Sequence, residues 1–556
     1  MSFNLLNNPF FPVTTISGAQ KWVDFADLAQ IEGDYPIDFA WPRADFNVAA
    51  MELAIGVAVL ALCPEGHEDW MEIWLEPPTS DDLRARLAPY LRAFDLDGPG
   101  PRFMQEFGGL EGEVSAIEAL LIDTPGVNGQ KKNADVLTHR KRYAALGLPT
   151  AAMALYALQQ FAPSGGAGNR TSMRGGGPMT ALVVPGGEGG RAAPLWRGVL
   201  ANLPADERNG FQPADLNRIL PWLAPTLTSA ADPATKGAKK NKDEELRLHE
   251  TDRSAHPLQA FFGMPRRIRL VFEPDGCCDA TGARGPCVTG FLQKPWGVNY
   301  GLWRHPLTPY RRQKELGEPN SLKPKSARFG YRDWVAATMG VEQNLLAIPA
   351  EAIEAAFSKR ARFLMAPVRM QACGWVMNNM EAVAYLDAEQ PLHLATSPSH
   401  GAILRRQALL MADAADDVAT MLRFALRNAL YAAGANVATD AGVFDDARTL
   451  FYEATEDAFH DALDAQLADD KVLEGEALKA AGRAWLQNLL RAAQAAFAQF
   501  APIPLGDAER AGRIARAFSL LRAGLGGYGK MGAALYKTLQ LAAPESKAAK
   551  KKRGAL

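Results

Sequence analysis

The sequence predicts an α+β N-terminal domain followed by an all-α four-helix bundle. Three observations carry that expectation. Up to about residue 398, short apolar runs alternate with amphipathic stretches and many Gly/Pro breaks. From Ser399 the chain turns Ala-rich, and its apolar residues then recur with helical spacing in four successive stretches. Residues 1–398 are thus read as a mixed domain, 399–545 as the bundle, and 546–556 (KAAKKKRGAL runs into this end) as a basic flexible tail with nothing to bury.

The elements follow in order. Val48 to Leu62 is the most apolar segment, interrupted by Glu52 and shorter than the roughly 20 residues a bilayer requires, so it reads as a buried helix. Thr180 to Val184 and Ile268 to Phe272 read as buried strands. Ser229 to His256 is polar, carries both signs of charge and reads as an exposed loop. In the bundle, Leu404, Met411, Val418 and Ala425 recur every seventh residue, with Ala408, Ala415, Leu422 and Ala429 between them. Phe459, Leu463 and Leu467 mark a second helix, and Trp485, Leu489 and Ala493 a third. Ile514, Phe518 and Leu521, behind Asp507 as N-cap, mark the fourth.

Composition sets bounds on function. A chain of 556 residues has room for about three or four structural units. Its 48% hydrophobic and 22% charged residues are those of a globular protein. A net charge of −2 excludes a uniformly basic coat, so any nucleic-acid contact must be local. Five cysteines, an odd number, and an N-terminus without the pattern of a signal peptide point to a reducing cytoplasm and no membrane.

Enzymatic motifs fail on inspection. Gly524 to Met531 (GLGGYGKM) fits a phosphate-binding loop as far as Lys530, but Met531 stands where a magnesium-holding hydroxyl is needed, and a helix precedes it where a strand should. The stretch reads as a helix break. Gly166-Ala167-Gly168 lacks the third glycine of a dinucleotide fingerprint. Cys277, Cys278 and Cys287 cluster as zinc ligands do, without the paired CxxC spacing or an obvious fourth ligand. No catalytic residue, cofactor or metal is assigned. A nucleotide-dependent enzyme using the glycine segments remains the rival class, and a purely architectural ribonucleoprotein subunit a third.

Two stretches do share one chemistry. Ser164 to Pro178 (SGGAGNRTSMRGGGP) holds six glycines, two arginines and no acid; Lys131 to Arg142 (KKNADVLTHRKR) holds five basic residues and one acid. Bare backbone approaches a groove or phosphate closely, and the cations neutralise charge beside it.

Several landmarks resemble the large subunit of Cascade, the type I-E CRISPR surveillance complex (the CasA family). They are Asn4 to Val13 (NLLNNPFFPV), Phe103-Met104-Gln105, the Lys131 to Arg142 loop, Arg174-Gly175-Gly176-Gly177-Pro178, Thr289-Gly290-Phe291-Leu292 and Gly301 to Pro306 (GLWRHP). The resemblance covers nearly the whole chain. It implies a non-catalytic subunit that recognises the protospacer-adjacent motif in double-stranded target DNA, helps open the duplex for guide-RNA pairing (R-loop formation), and offers a docking surface for the helicase-nuclease. Base pairing then reads the long sequence while protein reads a short duplex tag.

Carried over by residue, the resemblance places a glycine loop on Gly165, Gly166, Ala167 and Gly168, with Arg170 beside it, and Ala167 stands at the family's key glycine. The family's lysine finger falls on Gln293 or, one residue on, Lys294. A duplex-separating wedge falls on Asn378, Asn379 and Met380, within Trp375 to Met380, with Met380 at a glutamine position. A flexible loop for DNA contact and docking falls on Lys131 to His139, including Lys132 and Asn133. Some relatives bind zinc through a cysteine pair after this loop together with cysteines near Cys277; here Leu146 and Pro149 replace that pair.

Overall fold

The computed structural model describes residues 2–126, 130–131, 139–163, 165, 168–229, 249–250, 254–301, 303–312, 318–340, 347–379, 381–432, 434–435, 442–468 and 475–544. Mixed sheets and helices occupy the N-terminal part and a helical region the C-terminal part. The chain divides into two compact units, one of residues 1–328 and 340–392, the other of residues 329–339 and 393–556. Length alone suggested three or four units, and composition left 329–339 in the first. That segment, which holds the helix Tyr331–Thr338, belongs instead with the C-terminal helices: Tyr331 stacks on Phe459 at 4.4 Å between ring centroids.

The first unit is organised on a helix that is apolar all round. Ala44–Leu62 is buried along nearly its whole length, as a helix without a polar face must be. At 19 residues it is long and apolar enough, by length and composition, to cross a bilayer, which corrects the expectation that it falls short; most of it is buried inside the protein instead. Each large side chain so buried contributes about 1.5–3 kcal/mol. Glu52, the one carboxylate in its middle, is fully buried and paired with Arg174.

The larger sheets of the same unit are antiparallel. Phe11–Thr15 is the central strand between Gln20–Val23 and Pro36–Phe39. Arg267–Cys277 pairs with Arg284–Lys294 in a long hairpin, whose second strand also takes the short strands Ser115–Ala116 and Leu146–Gly147. A second hairpin joins Arg369–Asn378 to Glu381–Pro391, and Thr180–Val184 pairs with its first strand. Both apolar runs read from the sequence therefore lie in strands.

Three residues of the landmark motifs are fasteners. Gln105 accepts from the Leu270 amide at 3.0 Å and donates to the Leu96 carbonyl at 2.8 Å, tying the long hairpin to the loop before it. Asn4 donates to the Leu91 carbonyl and to Asp95. His305 is buried and its Nδ1 accepts from the Leu307 amide at 3.1 Å. Ser229 and His256, taken as the ends of an exposed loop, are buried: Ser229 bonds to Trp296 and Gly297, and His256 caps the turn Pro257–Phe261. Residues 230–248 and 251–253 of that stretch lie outside the described residues.

In the second unit, Pro398–Leu430 starts behind Ser397, which accepts from the His400 amide. All eight of its stripe residues, from Leu404 to Ala429, are buried. Gly442–Ala468 and Gly475–Phe500 bury Phe459, Leu463, Trp485, Leu489 and Ala493 against it, while Leu467 is half-buried. Ala508–Leu525 begins at Asp507, whose carboxylate accepts from the Arg510 amide at 2.9 Å. A further helix, Gly529–Thr538, follows a turn at Gly526 to Tyr528, so GLGGYGKM is a break between two helices. The basic tail, 546–556, lies outside the described residues.

Candidate nucleic-acid interface

The glycine-rich stretch divides into an accessible half and a buried half. Gly165 is exposed and Gly168, Asn169 and Arg170 are half-buried, whereas Ser172 to Arg174 and Gly176 to Pro178 are buried. The two arginines therefore have different tasks. Arg174 is locked on Glu52 and has no access to a phosphate, which corrects the reading of both arginines as grips on a nucleic acid. Arg170 stays at the surface, its guanidinium 5.2 Å from the centre of the Trp296 ring and its Nε donating to Ser229 Oγ at 2.9 Å.

The accessible half meets the end of the long hairpin. Gln293 donates from Nε2 to Asn169 Oδ1 at 2.8 Å, and the Trp296 amide donates to the Gly168 carbonyl at 2.8 Å. Gly168 has φ +82°, and a Cβ there would stand 2.7 Å from the Trp296 ring, so neither the backbone conformation nor the space admits a side chain. Folding thus brings Gly168 and Asn169 onto Trp296 and Gln293, residues more than 120 positions later in the chain.

Alternation along the strand separates the two finger candidates. Gln293 is half-buried and engaged with Asn169, while Lys294 is exposed, its Nζ 3.9 Å from where a Cβ on Gly112 would stand. Beneath the loop sits Arg266, 7% exposed, with its terminal nitrogens toward Pro163 and Gly165. Burial without a carboxylate pushes its pKa down to about 10. Sequence reasoning missed Asn169, Arg266 and Trp296; only the Pro-Trp-Gly break after Lys294 hinted at the last.

The buried half leads to the second hairpin. A Cβ on Gly177 would lie 2.6 Å from Met377 Cγ, so the stretch touches Trp296 at one end and Met377 at the other, nine residues apart. Extended chain of that length spans at most about 30 Å. Asn378 and Asn379 are exposed where the two strands join, and Asn379 has φ +47°, a conformation that Asn tolerates better than most residues.

The second basic stretch is tied down at its far end. Arg142 bonds Asp123 at 2.8 Å, and the amides of Lys141 and Arg142 donate to Glu118. Lys131 is exposed. Lys132, Asn133, Gly166, Ala167 and Met380 lie outside the described residues.

The cysteine cluster has protein partners. Cys277 Sγ lies 3.6 Å from the Gly282 carbonyl, Cys278 Sγ 3.6 Å from Thr150 Oγ1, and Cys287 Sγ 3.3 Å from the Gly285 carbonyl. Among the described residues no three His, Cys, Asp or Glu side chains converge as metal ligands would.

Known proteins share this architecture. Three solved structures share the fold: Thermus thermophilus CasA (18% identity, 95% of this chain and 100% of that one, TM-score 0.65), Thermobifida fusca Cse1 (19%, 97% and 98%, 0.66), and a chain of a CRISPR RNA-guided surveillance complex (16%, 94% and 99%, 0.66). The family model for CRISPR-associated protein Cse1 matches residues 4–496. The chain belongs to the Cse1 family of CRISPR-associated proteins.

Proposed function

We propose that this protein is the non-catalytic large subunit of an RNA-guided surveillance complex, and that it reads a short flanking motif on double-stranded DNA with the surface built by Gly165, Gly168 and Arg170 together with Gln293 and Lys294. The observation that carries the reading is the hydrogen-bonded junction of these two segments. Backbone without side chains enters a narrow groove, and exposed cations beside it neutralise phosphates. Lys294 takes the role of the cationic finger, because Gln293 is already engaged with Asn169. Arg170, Lys131 and, outside the described residues, Lys132 and Asn133 add contacts along the backbone.

Duplex opening belongs to the tip of the second hairpin. Asn378 and Asn379 stand exposed there, with Met380 next in sequence, and a projecting tip of this kind separates base steps by insertion. The C-terminal helices form the bundle that packs on neighbouring Cascade subunits, held with the guide RNA, and that receives the helicase-nuclease. Phe424, Ile503, Leu505 and Leu520 are at least 45% exposed on these helices and their connections and supply apolar anchors. A cytoplasmic setting is in keeping with five cysteines free of disulfides.

The test is binding of the assembled complex, with and without this subunit, to duplexes with a randomised flank. A flank preference that appears only with the subunit supports the reading. An unchanged flank profile overturns it and leaves a scaffold.

A further inference from the structure

Trp296 differs from its neighbours in three ways. Its backbone has φ +65°, a left-handed conformation rare for a bulky side chain, and such outliers persist only where surroundings impose them. Its indole is 41% exposed although it is the largest side chain at this surface. Its ring is also held by one segment distant in sequence, with Gly168 against Cδ2 and Cε2 and the Arg170 guanidinium 5.2 Å from the ring centre.

These contacts close a ring. The Trp296 amide donates to the Gly168 carbonyl, the Ser229 amide donates to the Trp296 carbonyl at 3.0 Å, and Arg170 donates to Ser229 Oγ, which itself donates to the Gly297 carbonyl at 2.7 Å. Every member of the ring fixes the backbone on one side of the glycine loop. A glycine has many conformations to lose on binding, so a clamp that removes those of Gly168 beforehand favours its bound shape.

We propose that Trp296 is the positioning residue of the flank-reading loop: its indole holds the Gly168 backbone in the reading conformation, so that discrimination between flanks depends on it more than overall affinity does. The proposal rests on the reading of the loop given above. Phosphate contacts by Lys294 and the other cations do not need the loop in one shape and supply affinity for any duplex. Discrimination through backbone placed in a groove does need it.

The experiment compares assembled complexes carrying Trp296→Ala, Trp296→Phe, Gly168→Ala and the double variant Gly168→Ala/Trp296→Ala, on duplexes with the preferred and a non-preferred flank over a range of salt. Trp296→Ala should lower the ratio of the two affinities by about tenfold or more, the scale of one lost base-pair discrimination. Affinity for the non-preferred duplex and the slope of log affinity against log salt should stay as in wild type. Trp296→Phe, which keeps an aromatic face, should retain most of the ratio. Gly168→Ala should lose the ratio, and adding Trp296→Ala to it should cost little more, because both act on one contact.

A wild-type ratio in Trp296→Ala overturns the proposal, as does an equal loss on both duplexes with an altered salt slope. Should Trp296→Ala fail to assemble, Gly168→Ala decides: an unchanged ratio there overturns the proposal. A wild-type complex without any flank preference overturns instead the reading of the loop, a result recognisable before any variant is made.

Discussion

Glu52 and Arg174 form a two-pronged ion pair in the middle of the first unit, at 2.9 and 2.8 Å, with neither side chain more than 1% exposed. Thr180 donates to the same carboxylate, and Arg174 also donates to Thr308 and to the Gln160 carbonyl, so the charges are matched and their remaining donors and acceptors used. The pair ties the apolar helix to the glycine-rich stretch and fixes where its accessible half begins.

Removing one partner leaves the other charge buried and alone. Arg174→Ala or Glu52→Ala should therefore destabilise the protein by about 3–5 kcal/mol, measured by denaturant unfolding. Arg170→Ala, four residues away in the same stretch, should change stability by no more than about 1 kcal/mol and lower duplex affinity instead. Equal effects of the two arginine substitutions on stability would contradict the division of the stretch.

Salt should act strongly on DNA binding. If the cations around the loop neutralise several phosphates, affinity falls by orders of magnitude between low and moderate salt. Lys294→Ala should reduce the slope of log affinity against log salt by about one. Gln293→Ala should leave the slope unchanged, since its amide carries no charge.

The hairpin tip should be separable from assembly. Alanine at Asn378, Asn379 and Met380 together is expected to abolish duplex opening, followed by the fluorescence of 2-aminopurine beside the flank, while the complex still forms. Intact opening in this variant would favour a purely architectural subunit.

His305 makes stability depend on pH. Its complete burial, with the nearby Arg174 charge adding to the effect, holds its pKa well below 6.5. The unfolded chain binds a proton there that the folded protein refuses, so stability is full above about pH 6.5 and falls as the solution is acidified. A histidine kept neutral throughout loses about 1.4 kcal/mol by pH 5.5. His305→Gln should flatten the unfolding profile in this window by that amount, read from denaturant midpoints at each pH.

The legible parts of the sequence were those written in local periodicity. Leu404 to Ala429 announced a buried stripe because every apolar residue recurs at helical spacing, and Asp507 marked its helix start because a carboxylate there meets free amides. The glycine loop and the strand end after Phe291 were each recognisable by family resemblance. Their contact was not, because Asn169 and Gln293 are 124 positions apart and neither residue type signals a partner. Arg170 and Arg174 looked alike for the same reason, since burial is decided by distant chain. The helix Tyr331–Thr338 was assigned to the wrong unit because its partners Thr455 and Phe459 lie more than 100 residues on.

The sequence by itself determined the mixed sheets and helices of the N-terminal part, the apolar helix, the strands at Thr180–Val184 and around Ile268 to Phe272, the helical C-terminal region and the family. Tertiary structure decided which arginine is a strut and which a surface cation, which of Gln293 and Lys294 is left exposed, and that Trp296 closes on Gly168. The physical reason is range: periodicity and capping act over a few residues, whereas charge pairing, burial and steric fit depend on groups that only folding brings together.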